Sequence, residues 1–309
     1  MKFELDGELR SAFREQLFES GGIKLNVAEG PDNGPILVLL HGLGRNWHDF
    51  VPVLPGLAKE NHIFAIDLRG HGGSSHVANS YRLEQYSQDV ADFLSQHLKY
   101  PTAIFGHSLG GSVAMWIAAH HPSQVTAIVV GDSALSAEHF EFSSFPALFA
   151  ALHDVATQGG SVEVVASKLA NIEIKLPGLP ESVRIGDFPG NDGAYLQWWA
   201  RGLKQVDPEV FKAAFDGSFL RGVNPDIMLQ KIQCPTMLLQ GNPELDGLMS
   251  HAEVKRALGL LSDGSHTYFP TLGHALHRQQ AQPILRAVQN FLEGVKNRAA
   301  VRKPPANSG

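Results

Sequence analysis

The sequence predicts an α/β fold: a mostly parallel central sheet with helices on both faces, interrupted by an inserted helical segment. Three observations predict it. Apolar runs of strand length recur along the chain, helical patterns separate several of them, and the alternation stops near Ala134 and resumes at Pro235. Composition agrees. A chain of 309 residues with 43% hydrophobic residues, 18% charged residues and a net charge of −6 has apolar material for a core and too little net charge for disorder.

The elements follow in order. Residues 13–18 and 23–27 flank Ser20-Gly21-Gly22 and read as an antiparallel hairpin at a sheet edge. Apolar runs at 36–40, 63–66, 102–105, 125–130, 236–239 and 266–269 show no in/out alternation, which suits parallel strands buried on both faces. A helical repeat joins Leu83, Tyr86, Val90, Phe93, Leu94 and His97. A second joins Ile284, Leu285, Val288, Phe291 and Leu292 behind Pro283. The stretch 134–232 is different: Phe140, Phe142, Phe145, Phe149, Trp198, Trp199, Phe211, Phe215 and Phe219 lie among Gly/Pro breaks and predict short helices. The expected organisation is thus a core of residues 1–133 and 234–297, a helical insertion over 134–233, and a disordered tail over 298–309. Removing the insertion leaves about two hundred residues, a single-domain length.

Several function classes are disfavoured. The one cysteine, Cys234, cannot form an intrachain disulfide or a structural zinc site, and reads as a buried core thiol. The N-terminus has no apolar h-region and no stretch approaches the ~18 apolar residues of a membrane span, so a cytoplasmic protein without membrane contact is expected. No Lys/Arg cluster supplies a phosphate-binding stripe, which argues against nucleic acid. The partner expected is a small-molecule substrate; nothing in the sequence fixes an oligomeric state, and no metal or organic cofactor is implied.

The most specific chemical signal is Gly106-His107-Ser108-Leu109-Gly110, which follows a strand and opens a helix. A G-x-S-x-G sequence there describes a sharp turn that exposes a serine hydroxyl; the plainer reading is a Gly-rich turn with Ser108 as a helix cap. A serine needs a base. Among fifteen histidines, His274 lies in the loop after the last strand, over the sheet's C-terminal edge, where a base is expected. His277 is a nearby decoy, expected with Arg278 on a loop or the surface, and His62, His76, His97, His120 and His121 read as strand-start or helix-surface residues. After the 36–40 strand, His41-Gly42-Leu43-Gly44 would place the Leu43 N–H beside that of Leu109, two donors for an oxyanion, with His41 holding the loop.

The motifs HGLG, DLRGHGGS (from Asp67), GHSLGG and LGHALHRQQAQP, in that order, resemble the α/β-hydrolase fold superfamily with a helical cap. The resemblance implies a structural role for Asp67, Arg69 and His71, and a cap whose aromatics line an apolar cavity. Relatives commonly place an aspartate where this chain has Glu244, within Gly241-Asn242-Pro243-Glu244-Leu245-Asp246; others place the acid after the preceding strand, at Asp132 here. Asp132, Glu244 and Asp246 therefore compete as partner of His274. The expected function is a serine hydrolase of a small, partly apolar ester or lactone. A carbon–carbon bond hydrolase is the nearest alternative and would use cationic cap residues such as Arg201, Lys204 or Arg221. A ligand-binding protein with little turnover is the alternative of another class.

Overall fold

The computed structural model describes residues 7–136, 144–175, 181–188 and 190–302. Arg14–Ser20 (β1) and Ile23–Glu29 (β2) form the expected edge hairpin. Ile36–Leu40 (β3), His62–Ile66 (β4), Thr102–His107 (β5), Val125–Gly131 (β6), Thr236–Gly241 (β7) and Gly264–Phe269 (β8) complete an eight-stranded sheet. Its order is β1-β2-β4-β3-β5-β6-β7-β8, antiparallel at β1, β2 and β4 and parallel from β4 onward.

The missing alternation has a simple cause. Along β3, Leu37 and Leu39 face one side and Val38 and Leu40 the other, and all four are buried. Helices Leu83–His97 and Leu109–His120 cover the Val38 side, while Leu54–Leu57 and Ala281–Arg302 cover the Leu37 side. The last strand departs from the expectation: β8 is an edge strand with His266 exposed, because among the described residues nothing pairs beyond it. Cys234 is half-buried at the rim of the core rather than inside it, and burial pushes its thiol up to about 11. The final helix runs to Arg302, past the boundary expected at 297, since residues 298–302 contain no Gly or Pro to stop it. Residues 303–309 lie outside the described residues.

Between β6 and β7 the chain forms helices Phe145–Gln158, Val162–Ala170, Gly193–Leu203, Glu209–Phe215 and Pro225–Lys231, with a short antiparallel pair, Glu173–Ile174 and Val183–Arg184. Phe140 and Phe142 lie outside the described residues. The last of these helices packs on Leu109–His120 and so belongs with the sheet layer. Hydrogen bonds tie the insertion down: the Tyr81 hydroxyl donates to Asp207 (2.6 Å), the Asp207 N–H to the Gly70 carbonyl (2.8 Å), and the Leu83 N–H to the Phe219 carbonyl (2.9 Å). Among the described residues, no helix is long and apolar enough to cross a membrane.

A buried charged cluster lies under β3 and β5, where sequence reasoning saw nothing. Asp49, on the turn Trp47–Phe50, is fully enclosed, with His277 Nε2 at 3.3 Å, Arg278 Nη1 at 3.3 Å and His107 Nδ1 at 3.7 Å from its carboxylate oxygens. His277 and Arg278, expected on a loop or the surface, are therefore corrected to buried residues on the helix Leu276–Gln279. That helix turns them inward, toward a carboxylate that needs positive and N–H partners. Burial opposes the charge on Asp49, but Arg278 and His277 hold its carboxyl well below the usual range. Asp49, His107 and His277 bring donor atoms within 4.8 Å of one another. The guanidinium already beside Asp49 would repel a divalent cation, so the set fits an ion network better than a metal centre.

Two stability predictions follow from this packing. Asp49→Ala strands the Arg278 guanidinium without its counter-ion and should cost ~3 to 5 kcal/mol in urea unfolding; an unchanged midpoint would contradict the pairing. A Cβ at Gly106 would stand 2.1 Å from the Gly110 carbonyl oxygen, a backbone atom that cannot swing aside. Gly106→Ala should thus lower stability by about 2 to 3 kcal/mol.

Candidate active site

Ser108 sits on the one-residue turn between β5 and helix Leu109–His120. Its backbone adopts φ 53°, ψ −116°, a conformation L-residues rarely take. The turn is over-determined by backbone bonds: the Ser108 N–H donates to the Gly131 carbonyl (2.8 Å), and the Ser108 carbonyl accepts from Gly111 (3.0 Å) and Ser112 (3.1 Å). Its side chain makes no capping bond and lines a cavity instead.

His274 faces the same cavity from the loop after β8. Its Nδ1 lies 2.7 Å from Oδ2 of Asp132, a fully buried residue at the C-terminal end of β6 with φ 41°. Asp132 also accepts N–H bonds from Leu248 (2.7 Å) and Gly241 (3.1 Å), which compensate its buried charge. Two further bonds fix the histidine backbone: its N–H donates to Asp246 Oδ1 (2.7 Å) and its carbonyl accepts from His107 Nε2 (2.9 Å). Of the three competing acids, Asp132 is thus on the ring and Asp246 on the main chain; burial raises the Asp246 carboxyl above its ordinary value. Glu244 is on neither. Pro243 opens a short 3-10 turn, capped by the Asn242 side chain, that turns Glu244 out to solvent.

The loop after β3 presses against Ser108: a Cβ at Gly42 would lie 3.3 Å from that of Ser108. Leu43 lines the cavity beside Ser108, and Leu109 is the first residue of its helix, where its N–H has no acceptor within that helix. Two histidines hold this loop. His41 Nε2 accepts the Leu68 N–H (3.0 Å) and its Nδ1 meets the Gly42 carbonyl (2.8 Å); His71 Nε2 accepts the Gly44 N–H (3.0 Å) and its Nδ1 meets the Arg69 carbonyl (2.8 Å). Each ring must donate at Nδ1 and accept at Nε2, so both are neutral. Burial agrees, lowering His41 to about 4 and His71 well below its ordinary value. Asp67 accepts from Trp47 (2.7 Å) and Gly73 (2.9 Å) N–H groups and from the Asn26 amide (2.9 Å), while burial pushes its carboxyl up to about 6. Arg69 pairs with buried Asp89.

The cavity measures about 370 Å³. Phe145, Phe149, Tyr195 and Trp199 of the insertion form its far wall, and Phe145 meets the His274 ring edge-on at 4.7 Å between centroids. A smaller apolar recess of about 30 Å³ opens beside Ser108, between Leu109, Leu248 and Phe219. The charged lining differs from the sequence expectation. Arg201, Lys204 and Arg221 are exposed and do not line the cavity; Lys204 is bonded to the Gly160 carbonyl. The arginines that line it are Arg45 and Arg278, from the core. The signal for Arg45 was its place directly after HGLG.

A family model described as alpha/beta hydrolase fold matches residues 35–154. The chain is 25% identical over 284 residues to a 2-(acetamidomethylene)succinate hydrolase of Mesorhizobium japonicum, covering 91% of this chain and 96% of that protein. It is 41% identical over 117 residues to the magnesium-chelatase 30 kDa subunit of Rhodobacter capsulatus, a match that spans 37% of this chain and only 39% of that subunit. The crystal structure of an enol-lactonase from Burkholderia xenovorans LB400 superposes with a TM-score of 0.71 at 18% identity, covering 90% of this chain and all (100%) of that one. With its sheet order, the family match over residues 35–154 and the superposition on the enol-lactonase, the chain has the α/β-hydrolase fold.

Proposed function

We propose that this protein is a serine hydrolase that cleaves a small, partly apolar ester or lactone through an acyl-enzyme. The observation that carries the reading is the convergence on one cavity of Ser108, held on a strained turn, and His274, whose Nδ1 is 2.7 Å from Asp132. His274 Nε2 takes the Ser108 proton as Oγ attacks the substrate carbonyl. Asp132 keeps the other ring proton on Nδ1 and stabilises the imidazolium that forms. The backbone N–H groups of Leu43 and Leu109 receive the oxyanion, and the neutral rings of His41 and His71 keep the Leu43 loop in place. His274 then protonates the leaving group, and a water deprotonated by the same histidine attacks the acyl carbonyl to release the acid and free Ser108. The insertion serves as a cap that shields the acyl-enzyme. The names of the matched succinate-derivative hydrolase and enol-lactonase support a small carbonyl substrate.

Assays with a p-nitrophenyl ester and a fluorophosphonate probe test the assignment. Ser108→Ala should lose at least about 10³-fold in kcat and all probe labelling. Full activity in that variant refutes the nucleophile. Asp132→Asn should lose about 10³- to 10⁴-fold in kcat, whereas Glu244→Gln should stay within about twofold of the parent. The reverse order of the two would return the acid role to Glu244.

A further inference from the structure

We infer that Arg45 and Arg278 form a carboxylate-binding subsite in the Ser108 cavity, so that the preferred substrate is an acyl compound carrying a free carboxylate. This rests on the serine hydrolase reading and adds what the non-reacting end of the substrate bears.

The two guanidinium groups reach one cavity from separate segments, Arg45 from a loop and Arg278 from the short helix Leu276–Gln279. Arg45 follows the Leu43 loop directly, and Arg278 stands four residues after His274. Both positions are set by the elements that set the reacting groups, so a carboxylate held there has a fixed offset from Ser108.

Their hydrogen-bonding capacity is incompletely used. The Arg45 guanidinium lies over the Trp199 ring at 4.0 Å from its centroid, and Nη2 donates to the Tyr195 hydroxyl at 3.2 Å; its Nη1 is buried with no acceptor. Arg278 has Nε and Nη1 buried without a hydrogen-bond acceptor of good geometry, with Asp49 at 3.3 Å as its charge partner. Asp49 therefore compensates Arg278, while among the described residues no carboxylate forms an ion pair with Arg45. The two acids that line the cavity are already engaged. Asp192 accepts the Tyr195 N–H at the start of its helix, and Asp246 accepts the His274 N–H.

A half-buried cation with an unused N–H is costly unless an anion completes it. A planar carboxylate matches the guanidinium fork and would also relieve the repulsion between the two arginines. A phenyl or alkyl tail would leave the Arg45 charge unanswered. The aromatic wall flattens Arg45 against Trp199, which limits its rotamers and lowers the entropy lost on binding.

The experiment compares monomethyl glutarate with methyl pentanoate, followed by proton release. The wild type should favour the anionic ester at least tenfold in kcat/KM, and Arg45→Gln should cut that ratio at least tenfold, mainly through KM. A ratio near one in the wild type, or a variant that slows both esters equally, overturns the subsite and leaves Arg45 as a strut between the core and Trp199. Binding separates this from the failure of the hydrolase reading. Calorimetric titration of Ser108→Ala with glutarate should give binding that glutaramide does not reproduce and that adding Arg45→Gln abolishes. Glutarate binding without turnover of either ester would keep the subsite and refute the hydrolase. Turnover of both esters without preference or glutarate binding would do the opposite.

Discussion

The hydrogen bond between Asp132 and His274 joins residues 142 positions apart, and the rest of the site is arranged around it. A fully buried carboxylate has to be compensated where it stands, and the N–H groups of Gly241 and Leu248 do so from the end of β7 and the loop after it. The bond therefore locks three successive strand ends, β6, β7 and β8, to one another. The same requirement explains how the fold accommodates the insertion. The chain leaves the sheet just beyond Asp132 and returns before Gly241, so both flanks are held by the buried carboxylate and the intervening segment is free to serve the cavity.

Around that bond the histidine backbone is pinned at both its N–H and its carbonyl, by Asp246 and by His107. His107 in turn leans on the Asp49 cluster, which is buried among Phe50, Phe105 and the last helix. On the opposite side, His41 and His71 perform the corresponding task for the loop that carries Leu43. His41 and His71 thus act as neutral brackets, their charged forms suppressed by burial. Only neutral imidazole offers one donor and one acceptor in a fixed geometry, which suits it to bridging main-chain groups in a dry interior.

The strand runs, the hairpin and the G-x-S-x-G turn were legible because each depends on neighbours in sequence: period, turn residues and the tight approach of Gly106 to Gly110. Which carboxylate meets the His274 ring was not. Asp132 and Glu244 both follow strands, and what separates them is the 3-10 turn opened by Pro243, which faces Glu244 to solvent. His277 and Arg278 were misjudged because their burial is caused by Asp49, more than two hundred residues earlier and in a different layer; no local pattern around 277 encodes it. The loss of strand rhythm between β6 and β7 is visible in the sequence, yet the placement of the cations there is not, since Arg201 and Lys204 are exposed on or just after an amphipathic helix whose inner side carries Tyr195 and Trp199.

That division of labour bears on specificity. Charge in the cavity comes from Arg45, on the loop that carries Leu43, and from Arg278, on the short helix just after His274, whereas the insertion contributes rings such as Phe145, Phe149 and Trp199. Electrostatic recognition needs placement within a few tenths of an ångström relative to the reacting carbonyl, and a rigid sheet edge supplies it. Apolar contact tolerates displacement, because its free energy follows buried area more than direction. Substitutions in the insertion other than at Tyr195 and Trp199, which hold the Arg45 side chain, would therefore reshape the volume next to Ser108 while leaving its charges in place, so the shape and the charge of the cavity come largely from separate parts of the chain.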